Sequence, residues 1–214
     1  SKVRAFHIAL LAVLLFFFWI MKDSFHQNAA VPNSVVSNFS EPIERKNEAA
    51  DLPTENLSIP SLRQIEYQST IIDTEVLRDY PSYTSNLATY TSENFRINAL
   101  LTIPKGEMPD GGWPAIVFVH GYIPPSLYKT TERYVDYVDA LARSGFVVFK
   151  IDLRGHGESE GNASGAYFSG DYVIDTLNAR AALAATDYVN DEKIGLWGHS
   201  MAGNVVMRAI AVDT

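Results

Sequence analysis

The sequence has no cysteine among its 214 residues. Disulfide bonds, zinc sites built from thiolates and a cysteine nucleophile are therefore excluded, and so is a lipoprotein anchor. Positive charge is also scarce: the sequence has 17 Lys and Arg residues against 25 Asp and Glu residues, which gives a net charge of −8. A nucleic-acid-binding protein would normally present a basic face, so we expect no nucleic-acid partner.

Glycine-rich phosphate loops are missing as well. Neither G-x-G-x-x-G nor G-x-x-x-x-G-K-[ST] follows the first apolar strand that the sequence predicts. This argues against a nucleotide-binding α/β protein, and no motif indicates a cofactor or a metal site. The content of 47% hydrophobic and 20% charged residues fits one globular domain with an appendage.

A long apolar run stands near the N-terminus, at residues 8–21, and Lys2 and Arg4 precede it. A run of this length suits the core of a signal peptide and is short for a bilayer span. No small-residue cleavage site is evident after it, which favours an uncleaved membrane anchor over a cleaved signal peptide. We therefore expect residues 1–22 to anchor the chain to the membrane or to direct its secretion, with the domain outside the cytoplasm.

The next segment, residues 23–63, is rich in Asn, Ser, Glu and Pro, and its apolar residues follow no period. This composition predicts a flexible linker. Residues 64–214 are then expected to hold an ordered domain. It begins with β-rich segments on either side of a turn at Glu93 and Asn94, which predict antiparallel leading strands.

Three continuous apolar strands follow, at residues 115–121, 146–152 and 193–199. Helical periodicity separates them, first in Tyr134, Val138 and Leu141 and then in a helix from about Asp171. Continuous apolar strands are typical of a sheet covered on both faces. Their alternation with helices predicts an α/β domain with a doubly wound, mostly parallel sheet.

The third strand runs into "GHSMAG", which puts Ser200 at a predicted strand-to-helix turn. Such a turn exposes its central side chain on a strained backbone, and it needs small neighbours because strand and helix nearly touch. Ala202 stands where the usual G-x-S-x-G pattern has its second glycine. The pattern makes Ser200 a candidate nucleophile. The alternative is a serine that caps the last helix.

Two backbone amides complete the candidate site. The N–H of Met201 stands at a helix start, where it can point at a developing oxyanion. A second donor must come from the loop after the first apolar strand, "HGYIPP", and the N–H of Tyr122 is the candidate. Gly121 would let this backbone approach a substrate.

Three histidines lie near the predicted strand ends. We expect His120 to be buried and bonded to loop backbone, and His156 in "DLRGHGES" to hold neighbouring loops rather than to act as a base. His199 should point away from its neighbour Ser200. The one acid after that serine is Asp213, which a helix would carry about 18 Å away.

These three motifs, "PAIVFVHGY", "DLRGHGES" and "IGLWGHSMAG", resemble the α/β-hydrolase superfamily over residues 85–214. The resemblance is strongest to prolyl oligopeptidase-like serine peptidases and their dienelactone-hydrolase-like esterase relatives. It implies that Ser200 is the nucleophile and that Met201 and Tyr122 supply the oxyanion donors. It also implies a small peptide or ester as the substrate.

The expected function is therefore that of a serine hydrolase, with a peptidase slightly favoured over a carboxylesterase. A non-catalytic binding protein that keeps the fold is the alternative from another class. In the superfamily the acid and the histidine follow the serine, whereas no histidine follows Ser200 here. We therefore expect a C-terminally truncated domain, inactive by itself and poorly stable.

Overall fold

A computed structural model describes residues 58–163 and 166–213 of the chain. The predicted anchor at residues 1–22 and most of the predicted linker lie outside the described residues. No helix within the described ranges is long and apolar enough to cross a membrane.

The described residues form six strands, four α-helices and one 3₁₀ turn at Pro125–Leu127. In chain order the elements are α1 (Ile59–Leu62), β1 (Ile71–Asp79), β2 (Tyr83–Ser92), β3 (Phe95–Pro104), β4 (Trp113–Val119), α2 (Val135–Arg143), β5 (Val147–Ile151), α3 (Asp171–Ala184), β6 (Val189–Gly198) and α4 (Met201–Val212).

The ordered domain begins earlier than the sequence predicts. Leu62 in α1 is fully buried, and the guanidinium of Arg63 donates to the carbonyl oxygen of Ala211 at 2.6 Å. These contacts fix the start of the domain against the end of α4. The last residues of the predicted linker therefore belong to the packed structure.

All six strands join one sheet in the order β1-β2-β3-β5-β4-β6. The pairs β1–β2, β2–β3 and β3–β5 are antiparallel, whereas β4 pairs in parallel with both β5 and β6. The prediction of a mostly parallel sheet is therefore wrong, and the sheet is mixed. The tight turn between Ser92 and Phe95 allows only an antiparallel pair, because a parallel pair needs a crossover connection.

The parallel half is doubly wound, as predicted. Alternate residues of the strands face opposite sides, so Leu100, Phe118 and Val148 pack under α2, while their neighbours join the core with α3 and α4. The connection through α2 thus covers one face, and the connection through α3 covers the other. Together they bury the central strands on both sides, which accounts for the continuous apolar runs.

The three parallel strands end at the same edge of the sheet. Val119 of β4 lies opposite Ile151 of β5 and opposite Gly198 of β6. Ligands of open α/β sheets collect beyond this carboxyl edge. The polar segments that follow the three strands are therefore neighbours in space.

Candidate active site

Ser200 occupies the sharp turn between β6 and α4. Its backbone lies at φ 56° and ψ −117°, and its side chain is exposed and makes no capping hydrogen bond to the helix. A positive φ is uncommon for a residue with a side chain and is retained where the surroundings enforce it. The geometry contradicts the helix-capping alternative and leaves the hydroxyl available above the sheet.

Close packing beneath this turn accounts for the small residues. A Cβ atom placed on Gly198 would lie 2.7 Å from Cγ2 of Val206 and 2.8 Å from the carbonyl oxygen of Ala202. Ala202 itself is fully buried, so its methyl group fits at the position where the usual pattern has glycine. Gly203 would meet nothing within 4 Å, and the turn therefore depends on Gly198 rather than on Gly203.

The two candidate oxyanion donors lie on adjoining segments. A Cβ atom on Gly121 would come within 3.0 Å of the carbonyl oxygen of His199, so the loop after β4 abuts the serine turn. Within the described residues, the N–H groups of Tyr122 and Met201 make no hydrogen bond. Both amides are thus free to donate, although their catalytic role stays a prediction.

His120 is fully buried at the end of β4. Its Nδ1 lies 2.7 Å from the carbonyl oxygen of Gly121, and its Nε2 lies 2.9 Å from that of Asp152. Burial lowers the pKa of the imidazole to about 4. The residue therefore links the loops after β4 and β5, as the sequence predicts.

The "DLRGHGES" loop is held by a buried ion pair. Arg154 Nη2 lies 2.7 Å from Oδ1 of Asp175 on α3, and Glu93 contacts the same nitrogen at 2.7 Å. Burial raises the pKa of Asp175 against the opposing effect of Arg154. His156 is buried with Nδ1 3.2 Å from the carbonyl oxygen of Arg154. The loop is thus a structural brace, in agreement with the prediction.

A buried polar cluster at the end of β5 was not predicted from the sequence. Lys150 has no exposed surface, and its Nζ donates to the hydroxyl of Tyr128 at 3.0 Å. That hydroxyl donates to Asp152 at 2.9 Å, and Thr130 donates to the same carboxylate. Burial lowers the pKa of Lys150 to about 8 and raises that of Asp152 to about 6. The only sequence signal is a lysine inside an otherwise apolar strand.

No described histidine is hydrogen-bonded to Ser200. His199 instead has its Nδ1 3.0 Å from the hydroxyl of Tyr134, which also accepts the N–H of Gly121 at 3.1 Å. Asp213 lies at the far end of α4 and pairs with Arg180 at 3.1 Å. The described residues therefore provide a serine and one free amide on each of two adjoining segments, and no described histidine is hydrogen-bonded to that serine.

An open cavity of about 520 Å³ lies next to Tyr122, between the loop after β4 and the start of α2. Its lining is aromatic and charged, and it includes Tyr134, Glu132 and Arg133. Over the described ranges, no group of three His, Asp or Glu side chains is arranged to hold a metal ion.

Known proteins resemble the part of the chain that carries these features. A family model described as "Serine aminopeptidase, S33" matches residues 114–213. A probable dipeptidyl-aminopeptidase B from Coccidioides posadasii is 24% identical over an alignment of 177 residues, which covers 78% of this chain and 19% of the relative. The chain thus spans about a fifth of the length of that relative.

Solved structures support the same fold. An acetyl xylan esterase from Paenibacillus sp. R4 superposes with a TM-score of 0.53 at 20% identity, over 84% of this chain and 60% of the esterase. A hypothetical protein from Pseudomonas aeruginosa gives a TM-score of 0.52 at 22% identity, over 66% of this chain and 45% of that protein.

This chain is an α/β-hydrolase-fold protein. The resemblance inferred from its three strand-end motifs is confirmed by the S33 family model and by these relatives. The segment that the family model matches begins at the start of β4 and includes Ser200, Met201 and Tyr122.

Proposed function

We propose that this protein is a serine hydrolase that cleaves a peptide or ester bond through an acyl-enzyme on Ser200. The observation that carries the proposal is the backbone of Ser200, at φ 56° and ψ −117° between β6 and α4, with the hydroxyl exposed. Strand-to-helix turns of this kind present the nucleophile in α/β hydrolases.

The reaction proceeds in two steps. The Ser200 oxygen attacks the substrate carbonyl carbon while its proton passes to a general base, and the N–H groups of Met201 and Tyr122 hold the oxyanion. The amine or alcohol leaves with that proton. Water then attacks the acyl-enzyme, releases the acid and restores the serine hydroxyl. No described histidine bonds to Ser200, so we name the nucleophile and the oxyanion donors and assign no residue to the base.

A peptide substrate is slightly favoured over an ester. The family model is that of a serine aminopeptidase, and the curated relative from Coccidioides posadasii is a probable dipeptidyl-aminopeptidase. Carboxylester hydrolysis uses the same serine and the same oxyanion donors, so it is the second candidate. We further propose that residues 1–22 anchor or export the chain and that the hydrolase domain works outside the cytoplasm.

The test uses the complete gene product, purified together with its Ser200→Ala variant. A fluorophosphonate probe should label the parent protein on the peptide that contains Ser200, as mapped by mass spectrometry. Panels of aminoacyl and dipeptidyl anilides and of p-nitrophenyl esters would then rank the substrates. Label on another residue, or turnover retained by the alanine variant, would contradict the proposal. Absence of both label and turnover would favour a non-catalytic binding protein.

The 214-residue chain alone supplies a second test. A serine hydroxyl without a base is a weak nucleophile at neutral pH. We therefore expect negligible turnover from this chain in the same assays, even where it is folded. Turnover equal to that of the complete gene product would show that a base acts on Ser200 although no described histidine is bonded to it.

A further inference from the structure

One hydroxyl group touches both segments that carry the candidate oxyanion donors. Oη of Tyr134 accepts the N–H of Gly121 at 3.1 Å, and it lies 3.0 Å from Nδ1 of His199. Gly121 immediately precedes Tyr122, and His199 lies two residues before Met201. Tyr134 therefore ties the loop after β4 to the serine turn after β6.

The contact is tightly built. A Cβ atom on Gly121 would lie 2.6 Å from Oη of Tyr134, so only glycine leaves room for the hydroxyl to reach the backbone. The sequence suggested that Gly121 leaves room for a substrate. In the structure it leaves room for the Tyr134 hydroxyl. The Tyr134 ring packs against Phe118 at 5.7 Å and against Trp197 at 6.0 Å between centroids.

The backbone of Tyr134 is itself unusual. It lies just before α2 at φ 63° and ψ 14°, in the left-handed region. This conformation costs a residue with a side chain about 1–2 kcal/mol. Such strain persists where the surrounding contacts enforce it, and it is concentrated at functional sites. The left-handed backbone of Tyr134 places the ring so that its hydroxyl reaches the N–H of Gly121.

The contacts of Gly121 determine the direction of the Tyr122 amide. The N–H of Gly121 is held by Tyr134, and its carbonyl oxygen faces Nδ1 of His120 at 2.7 Å. In a planar trans peptide the carbonyl oxygen and the following N–H point in opposite directions. The N–H of Tyr122 therefore points away from His120. Rotation of this peptide plane would break the contact of the Gly121 carbonyl oxygen with His120, while the bond to Tyr134 holds the preceding peptide plane and so fixes Gly121 itself.

We propose that Tyr134 is a positioning residue that holds the Tyr122 amide at a fixed place relative to Ser200 and Met201. The proposal rests on the proposed function, because it assigns Tyr134 to the oxyanion hole of that reaction. Oxyanion donors act on the transition state rather than on the bound substrate. Loss of the Tyr134 hydroxyl should therefore lower kcat and leave KM nearly unchanged.

The experiment compares Tyr134→Phe with Tyr83→Phe in the complete gene product. Tyr83 is a matched control, because its buried hydroxyl donates to Asp139 of α2 at 2.7 Å and makes no contact with the candidate site. Each variant removes one tyrosine hydroxyl that holds α2 or the residue before it. We expect Tyr134→Phe to lower kcat roughly 10- to 100-fold, less than the loss of a complete oxyanion donor, with KM within about twofold.

A second measurement does not depend on catalysis. Hydrogen exchange of the Gly121 amide, read at single-residue resolution, should be faster in Tyr134→Phe than in the parent and in Tyr83→Phe, because this N–H loses its acceptor. Thermal unfolding of all three proteins identifies a variant that fails to fold.

The outcomes separate the two proposals. A kcat in Tyr134→Phe equal to that of Tyr83→Phe, or unchanged exchange at Gly121, would overturn the positioning role while leaving the hydrolase intact. A fall in kcat with a proportional rise in KM would also overturn it, because uniform binding would then have been lost. A parent protein without turnover or probe labelling would remove the proposed function itself.

Discussion

The loop at residues 152–159 and the serine turn at residues 198–203 lie at the same edge of the sheet, and both contain a histidine, a serine and glycines. In the first loop these side chains are turned inward. His156 is buried, and Oγ of Ser159 accepts the N–H of Asn98 at 2.9 Å. In the second segment Ser200 is exposed, and its side chain makes no hydrogen bond to the helix.

Residue type and position at a strand end therefore do not decide a chemical role. What differs is whether the polar atoms already have partners. The side chains of the 152–159 loop form hydrogen bonds with neighbouring segments, so the loop stabilises the folded domain. The serine turn leaves one hydroxyl and the N–H of Met201 without partners in the described residues, so these groups can act on a substrate.

The largest expected effect separates the two serines. Ser200→Ala should lower kcat of the complete gene product by at least about 10⁴-fold, because the nucleophile is lost, with little change in stability. Ser159→Ala should retain kcat and lower the free energy of unfolding by about 1–2 kcal/mol, because the N–H of Asn98 loses its acceptor. Steady-state kinetics and urea unfolding measure both. A large kcat loss in Ser159→Ala would remove the distinction between the segments.

The next effect concerns the brace beneath the 152–159 loop. Asp175→Ala should lower the free energy of unfolding by about 3–5 kcal/mol, because the buried guanidinium of Arg154 loses the carboxylate that neutralises its charge. Asp171 is the matched control. Its carboxylate lies 3.7 Å from Arg154 and is partly exposed, so Asp171→Ala should cost less than about 1 kcal/mol. Equal losses in urea unfolding would show that the buried pair is no stronger than the outer one.

Two glycines test the packing of the serine turn. Gly198→Ala should lower the free energy of unfolding by about 2–3 kcal/mol, because the new methyl group meets Val206 and the Ala202 carbonyl. Gly203→Ala should be neutral or stabilising by up to about 1 kcal/mol, since the added methyl meets open space within a helix. Thermal and urea unfolding of the two variants give the comparison. The reverse order would contradict the close contact at Gly198.

The smallest expected effect is a pH dependence from Lys150. The pKa of Lys150 is lowered by burial to about 8, so between pH 8 and pH 10 the unfolded chain holds a proton that the folded chain has released. Stability contributed by this residue therefore rises with pH across that window, by about 2 kcal/mol. Lys150→Met should lack this rise, as measured by urea unfolding at pH 8 and pH 10.

Lys129→Met is the control for this measurement. Lys129 is exposed and pairs with Glu132 at the surface, so its replacement should leave the pH dependence of the parent unchanged. Asp152, with a pKa of about 6, stays ionised throughout the window. Identical slopes in the parent and in Lys150→Met would contradict a depressed pKa for the buried amine.

The sequence predicted the parallel half of the sheet and the serine turn because both are local patterns. Continuous apolar strands and the spacing of Gly198, Ser200 and Ala202 are visible without knowledge of distant contacts. The helix from Asp171 was also predicted, and the structure places α3 at Asp171–Ala184. The antiparallel share of the sheet was underestimated because pairing partners depend on how strands are connected.

Tyr134 shows what a periodic pattern cannot reveal. Its spacing with Val138 and Leu141 predicted a position within the helix, whereas the structure places it just before α2 with its hydroxyl on Gly121. The pair of Arg154 and Asp175 joins residues 21 positions apart, and no local signal marks it. Both roles depend on contacts between residues that are distant in the chain, and a single sequence does not reveal such contacts.

His120 has one proton to share between two carbonyl oxygens. Its two ring nitrogens face two carbonyl oxygens, of Gly121 and of Asp152. With a pKa of about 4 the ring is neutral at pH 7, and a neutral imidazole carries a single N–H. At any instant the ring donates to one carbonyl and presents a lone pair to the other. The tautomer of His120 therefore decides whether the ring donates its hydrogen bond to the loop after β4 or to the segment after β5.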